Sequence, residues 1–195
     1  MTVHPLHPFL ARAASLAAGA AAAVPADQAL DAPTPCADYD ARTLINHWVL
    51  YTSHGLEHRA RRAELPAELT ARDFTADADW REAYAAQLER AVAAWEAPEV
   101  WEGEVDLGGS PFPALGIARM LILELALHAW DVAAATGGRI EADAELAELV
   151  REIAEEYAEM YRQFDGFAGE VDLPEDASAW DRALAASGRD PRWKA

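Results

Sequence analysis

Apolar residues recur along this chain at intervals of three and four, in blocks separated by Pro, Gly and Asp, a pattern that predicts long amphipathic helices. The first block, Pro8 to Ala23, carries Phe9, Leu10, Ala13, Leu16 and Ala17 on one stripe and ends before Pro25. A loop with Pro33, Pro35 and Cys36 comes next. Asp40 is placed to cap a second helix whose buried face is Leu44, Ile45, Trp48 and Tyr51, with His47 among them. Asp79 and Glu82 have the spacing of a capping box and open a third helix through Tyr84, Leu88, Val92 and Trp95, closed before Pro98. The fourth and most apolar helix runs from near Pro113 to Gly137-Gly138, where a residue without a side chain takes the left-handed cap. A fifth, Asp143 to Arg162, sets Leu146, Leu149, Ile153, Tyr157 and Met160 against a dense carboxylate face, read most simply as solvated surface. A short helix over Ser178 to Ala186 completes the set.

Between Val100 and Pro113 the period changes, and Val100, Glu102, Val105 and Leu107 with Gly103, Gly108 and Gly109 suit a short extended segment and turn. The pentapeptide Gly-Glu-Val-Asp-Leu occurs at Gly103 to Leu107 and again at Gly169 to Leu173, which suggests two short strands able to pair. The resulting fold class is mainly α: a core of four long helices, a fifth amphipathic helix and a minor β element. At 195 residues the chain is expected to form one domain spanning 1–195.

Sixteen basic residues against thirty-four acidic ones give a net charge of -18, which repels phosphate backbones and anionic headgroups and excludes nucleic acid and membrane surfaces as expected partners. A lone cysteine, Cys36, forms no intramolecular disulfide, and a cytoplasmic location is expected. The alanine-rich Ala13 to Ala26 stretch weakly resembles a signal peptide, but the first eleven residues hold no Lys or Arg and Arg12 interrupts the apolar region. No Gly-rich phosphate loop is present.

The chemistry concentrates in the most apolar helix. Glu124 and His128, four apart, lie about 40° apart on one helical face. A carboxylate among Leu121, Ile122, Leu123, Leu125 and Leu127 requires a compensating group, and a divalent metal supplies one. His47 is the third candidate ligand. Three protein ligands leave a position open for water or substrate, unlike a closed structural site. The spacing leaves alternatives: Asp131 either ligates or orients a neighbour. His54 and His58 form a competing pair in what reads as an exposed helix end, with His54 and Tyr51 as candidate pocket lining. Trp48, Trp80, Trp95, Trp101 and Trp130 read as core before pocket, and Cys36 as structural before nucleophilic.

Three motifs carry a family resemblance. Thr34-Pro35-Cys36-Ala37-Asp38-Tyr39-Asp40 leading to Leu44-Ile45-Asn46-His47, then Glu124 to Ala133 with Thr136-Gly137, then Gly188-Arg189-Asp190-Pro191-Arg192-Trp193 resemble the metal-binding domain of mycothiol-dependent maleylpyruvate isomerase, in the DinB-like superfamily of four-helix-bundle metalloproteins. The resemblance implies a divalent metal, zinc foremost with nickel or manganese as alternatives, on His47, Glu124 and His128. It also implies mycothiol or another low-molecular-weight thiol as co-substrate, with a small-molecule electrophile as the other partner. The implied activity is metal-dependent thiol transfer or thiol-assisted isomerisation. The alternatives are a hydrolase or lyase using bound water, and a non-catalytic metal-binding or regulatory protein. The isomerase itself has an added C-terminal domain that contributes to its site, for which a chain ending at Ala195 leaves no room. Many superfamily members have a third histidine where this chain has Glu124. Either a monomer or a homodimer is compatible with the bundle.

Overall fold

Four helical rods form the core of the computed structural model, which describes residues 3–106 and 110–194. They are α1 (His7–Ala23), the continuous rod of α2 (Ala41–Val49), a π-helical turn (Leu50–His54) and α3 (Gly55–Ala60), then α5 (Trp80–Ala93) and α6 (Ala114–Ala135). A single turn, α4 (Ala67–Thr70), and 3-10 turns at Phe74–Ala76 and Pro98–Trp101 connect them. α7 (Ala144–Gln163) packs against α6 and pairs with α8 (Ala179–Ala186). The mainly α expectation holds, and the alanine-rich stretch forms α1, whose Ala13, Ala14, Ala17, Ala20 and Ala21 are buried where it packs on α5 and α6. Among the described residues, no helix is long and apolar enough to cross a membrane.

Local chemistry sets the boundaries. The Asp40 carboxylate accepts from the Thr43 N–H and caps α2, and Asp143 does the same for Leu146 at the start of α7. Asp79 departs from expectation: it precedes α5 but its side chain makes no cap hydrogen bond. α6 ends as expected at Gly137, whose φ of 75° lets the Gly138 N–H reach the Ala133 carbonyl at 2.7 Å and the Gly137 N–H reach Ala134 at 3.2 Å.

The β element differs in its pairing. β1 (Glu104–Asp106) pairs antiparallel with β2 (Pro111–Pro113), with Val105 opposite Phe112. The second pentapeptide copy does not form a strand; its Val171 N–H bonds to the Ala185 carbonyl at the end of α8. A partner a few residues along the chain closes a far shorter loop than one more than sixty residues away. Leu107, Gly108 and Gly109 lie outside the described residues.

The π turn redirects the second half of its rod. The Thr52 and Ser53 hydroxyls donate to the carbonyls of Trp48 and Val49 at 2.7 and 2.6 Å, satisfying acceptors that the altered backbone ladder would strand. A π turn acts as one inserted residue and rotates everything beyond it by about 100° relative to a straight α-helix. Tyr51, expected on the buried face, lies within this turn and is 38% exposed.

A candidate metal centre on α6

α6 places Glu124, His128 and Asp131 on one face. The His128 ring sits between the two carboxylates, with Nε2 3.0 Å from Glu124 Oε2 and Nδ1 2.9 Å from Asp131 Oδ2. α2 brings His47 edge-on to His128, ring centroids 5.1 Å apart. One donor atom from each of His47, Glu124 and His128 lies within 4.8 Å of the others, and Cys36, His128 and Asp131 form a second such group.

Partners from other parts of the chain hold these groups. Arg189 donates through Nε to Asp131 Oδ1 and through Nη2 to Oδ2, both at 2.8 Å, a two-pronged pair with both side chains buried. The Cys36 thiol donates to the same Asp131 Oδ2 at 3.3 Å, and Arg189 Nη2 lies 3.6 Å from its sulfur. The Tyr161 hydroxyl donates to Glu124 Oε1 at 3.0 Å, and the Tyr39 hydroxyl is 3.5 Å from His47 Nδ1.

These contacts set the electrostatics. Burial opposes ionisation of Glu124, but hydrogen bonds to His128 and Tyr161 and the nearby histidines outweigh it and hold its pKa at about 2. Burial likewise opposes charge on Asp131, and Arg189 and His128 more than offset it, keeping its pKa well below the carboxylate range. Burial disfavours a protonated His128, yet hydrogen bonds to Asp131, Cys36 and Glu124 carry its pKa well above 6.5. His47 goes the other way: burial first, then the neighbouring His128 charge, lowers its pKa to about 4. Tyr161 stays protonated because burial and the Glu124 charge push its pKa far up.

The residues fit a divalent cation. With Nδ1–H committed to Asp131, a neutral His128 turns its Nε2 lone pair toward the Glu124 carboxylate. Two lone-pair groups 3.0 Å apart in a largely buried setting need a positive charge between them, either a proton on Nε2 or a metal ion. Two nitrogens and one carboxylate oxygen form the kind of donor set that binds zinc with a position left open. Ligands of a tetrahedral zinc ion lie roughly 3.4 Å apart, near the 3.0 Å between His128 Nε2 and Glu124 Oε2. A carboxylate behind a ligating imidazole is the usual support that fixes its tautomer, and Asp131 stands in that place.

The cluster opens onto a cavity of about 640 Å³ between the loop at 35–39, α2, α6 and the segments at 165–168 and 187–189. His47, Glu124, His128, Tyr161 and Arg189 all face it. Tyr51 is not among its walls but packs on the His47 ring at 4.8 Å. His54 lies elsewhere: half-buried rather than superficial, it stacks on Phe74 at 5.4 Å and lines a separate cavity of about 150 Å³ with Arg72, Trp80 and Tyr84. The π turn explains the separation, since seven residues of straight helix would have returned His54 to the His47 face. His58 belongs to no ligand group among the described residues. The five tryptophans are buried and none lines the larger cavity. The residue pattern assigns no role to Tyr161 or Arg189; Arg189 stands in one of the family-like motifs, whereas nothing local marks Tyr161.

Fold and site together define a helical-bundle protein with a His/Glu/His group suited to a divalent cation, held open to a cavity. Residues 10–133 match the mycothiol maleylpyruvate isomerase N-terminal domain, and the chain belongs to that family, one of thiol-related, metal-binding domains. Over 185 residues it is 33% identical to an uncharacterized protein of Mycobacterium tuberculosis found in two strains, with 93% of this chain and 96% of the relative covered. No solved structure matches the chain. The family match ends before Tyr161 and Arg189.

Proposed function

We propose that this protein is a metal-dependent enzyme of thiol transfer or thiol-assisted isomerisation, with His47, Glu124 and His128 as metal ligands and a low-molecular-weight thiol of the mycothiol type as co-substrate. The observation that carries the reading is the His128 ring, anchored on Asp131 at 2.9 Å while its other nitrogen faces Glu124 and His47 at the wall of a 640 Å³ cavity. A bound divalent ion, zinc foremost, would supply a positive charge that stabilises a thiolate near neutral pH. Asp131 holds the His128 Nδ1 proton, so Nε2 remains the donor atom. Arg189 keeps Asp131 ionised and fixed in a buried setting. Tyr39 and Tyr161 line the cavity, and their rings help exclude water from a reacting thiolate and electrophile. The lone Cys36 supports a cytoplasmic setting, where such thiols stay reduced.

A non-catalytic bundle is expected to have a filled or closed site, and the open cavity favours an enzyme. Turnover separates thiol chemistry from water chemistry. Zinc-loaded protein is expected to consume a small electrophile only when mycothiol is present, with the rate lost in Glu124→Ala. Equal consumption with and without thiol would assign the open position to water and a hydrolase or lyase.

A further inference from the structure

Tyr161 reaches the cluster from α7, beyond the residues matched by the family, and several contacts fix its placement. Its ring stacks on Phe167 with centroids 4.4 Å apart and planes 11° from parallel. Its carbonyl accepts from the Gly166 N–H at 2.8 Å, and a Cβ at Gly166 would come within 2.8 Å of Tyr161 Cδ1, so the turn closes this tightly only with glycine there. Asp165 takes the left-handed conformation, φ 57°, to make that turn. The Arg162 guanidinium ties the segment down through the carbonyls of Ala168 and Ala186 at 3.1 and 2.7 Å. All of this aims one hydroxyl at one oxygen, Glu124 Oε1, at 3.0 Å, while Oε2 faces His128.

Resting on the metal reading above, we infer that Tyr161 is a positioning residue that makes Glu124 a one-oxygen ligand. Its hydroxyl occupies Oε1, so only Oε2 is presented to the ion. A carboxylate free to turn can bind a metal through both oxygens and fill the position a thiol sulfur needs. Tyr161 thereby preserves the open coordination position and the selectivity for a four-coordinate ion. The α7 segment supplies this constraint on the metal ligand from outside the residues that match the family, 10–133.

Cobalt(II) substitution tests this by visible absorption, which reports coordination number without turnover. Wild-type protein loaded with cobalt is expected to show the intense bands of a four-coordinate ion. Tyr161→Phe keeps the ring stack and removes the hydroxyl. It is expected to lower the band intensity at least about twofold and weaken cobalt affinity about 10-fold, the lower end for loss of a partner behind a ligand. An unchanged spectrum and affinity in a variant whose metal-free circular dichroism matches wild type would overturn the inference. If Tyr161→Phe does not fold, Phe167→Leu, which loosens the ring but keeps the hydroxyl, is expected to shift the spectrum the same way by a smaller amount, and an unchanged spectrum there would also overturn it. Failure of the wild type itself to bind cobalt would overturn the metal reading instead, so the two failures are distinct.

Discussion

Two recesses open along the same helical rod, one beside His47 and one beside His54, and they differ in how their charges are settled. In the smaller, Arg72 meets Asp77 at 2.5 Å, Gln87 donates to Glu57 at 2.6 Å, and His54 rests on Phe74; each of these charged groups has a polar partner. In the larger, His128 lies between two carboxylates; Asp131 is paired with Arg189 at 2.8 Å, whereas Glu124 feels Arg59 and Arg189 only at longer range. Glu124 has a tyrosine hydroxyl and the histidines as its near partners, and a cation can take the place of the proton between it and His128. A histidine at an inviting spacing is thus not a ligand by spacing. What distinguishes the two sites is a histidine clamped between two carboxylates, so that one positive charge, a proton or a metal ion, must sit between His128 and Glu124.

Breaking the buried anchor should show the largest contrast. Asp131→Ala leaves the Arg189 guanidinium, 8% exposed, without its partner and is expected to destabilise the metal-free protein by about 3–5 kcal/mol in urea unfolding at pH 7. The matching change in the other recess, Asp77→Ala, frees an arginine that is 48% exposed and is expected to cost less than about 1 kcal/mol. Equal losses would erase the distinction between the two recesses.

Acid should act next. The folded pKa of His47, about 4, lies below its ordinary value of 6.5, so the unfolded chain binds the proton first. The stability His47 contributes is therefore present above pH 6.5 and is lost as pH falls toward 4. Metal-free wild type is expected to lose more stability across that window than His47→Gln, read as the shift in urea midpoint; parallel profiles would contradict the assignment. The smallest effect concerns the His54 side, where Thr52 and Tyr84 share a buried hydrogen bond of 2.7 Å. Tyr84→Phe removes it at a cost of about 1 kcal/mol and should leave metal binding unchanged.

Much of this was legible in the residues. The period-four pair Glu124 and His128 in an apolar helix survives folding because α6 is regular throughout, and the Asp40 cap and the Gly137 stop are local decisions that neighbours do not override. His54 was not legible, because a π turn leaves no clear sequence mark and shifts the phase of every residue beyond it. The second pentapeptide looked like a strand and is not one, since pairing depends on what lies opposite, and β1 finds β2 first. Arg189 and Tyr161 act on residues 58 and 37 positions away, a separation at which side-chain pattern carries no signal.

The most direct measurement is metal content by elemental mass spectrometry on protein purified without an affinity tag, comparing wild type, His128→Ala and His54→Ala. The account predicts near one divalent metal per chain in wild type and in His54→Ala, and none in His128→Ala. A folded wild type that holds no metal even after reconstitution, or one that loses it with His54 rather than His128, would contradict it and leave His128 as an imidazolium bridging Glu124 and Asp131.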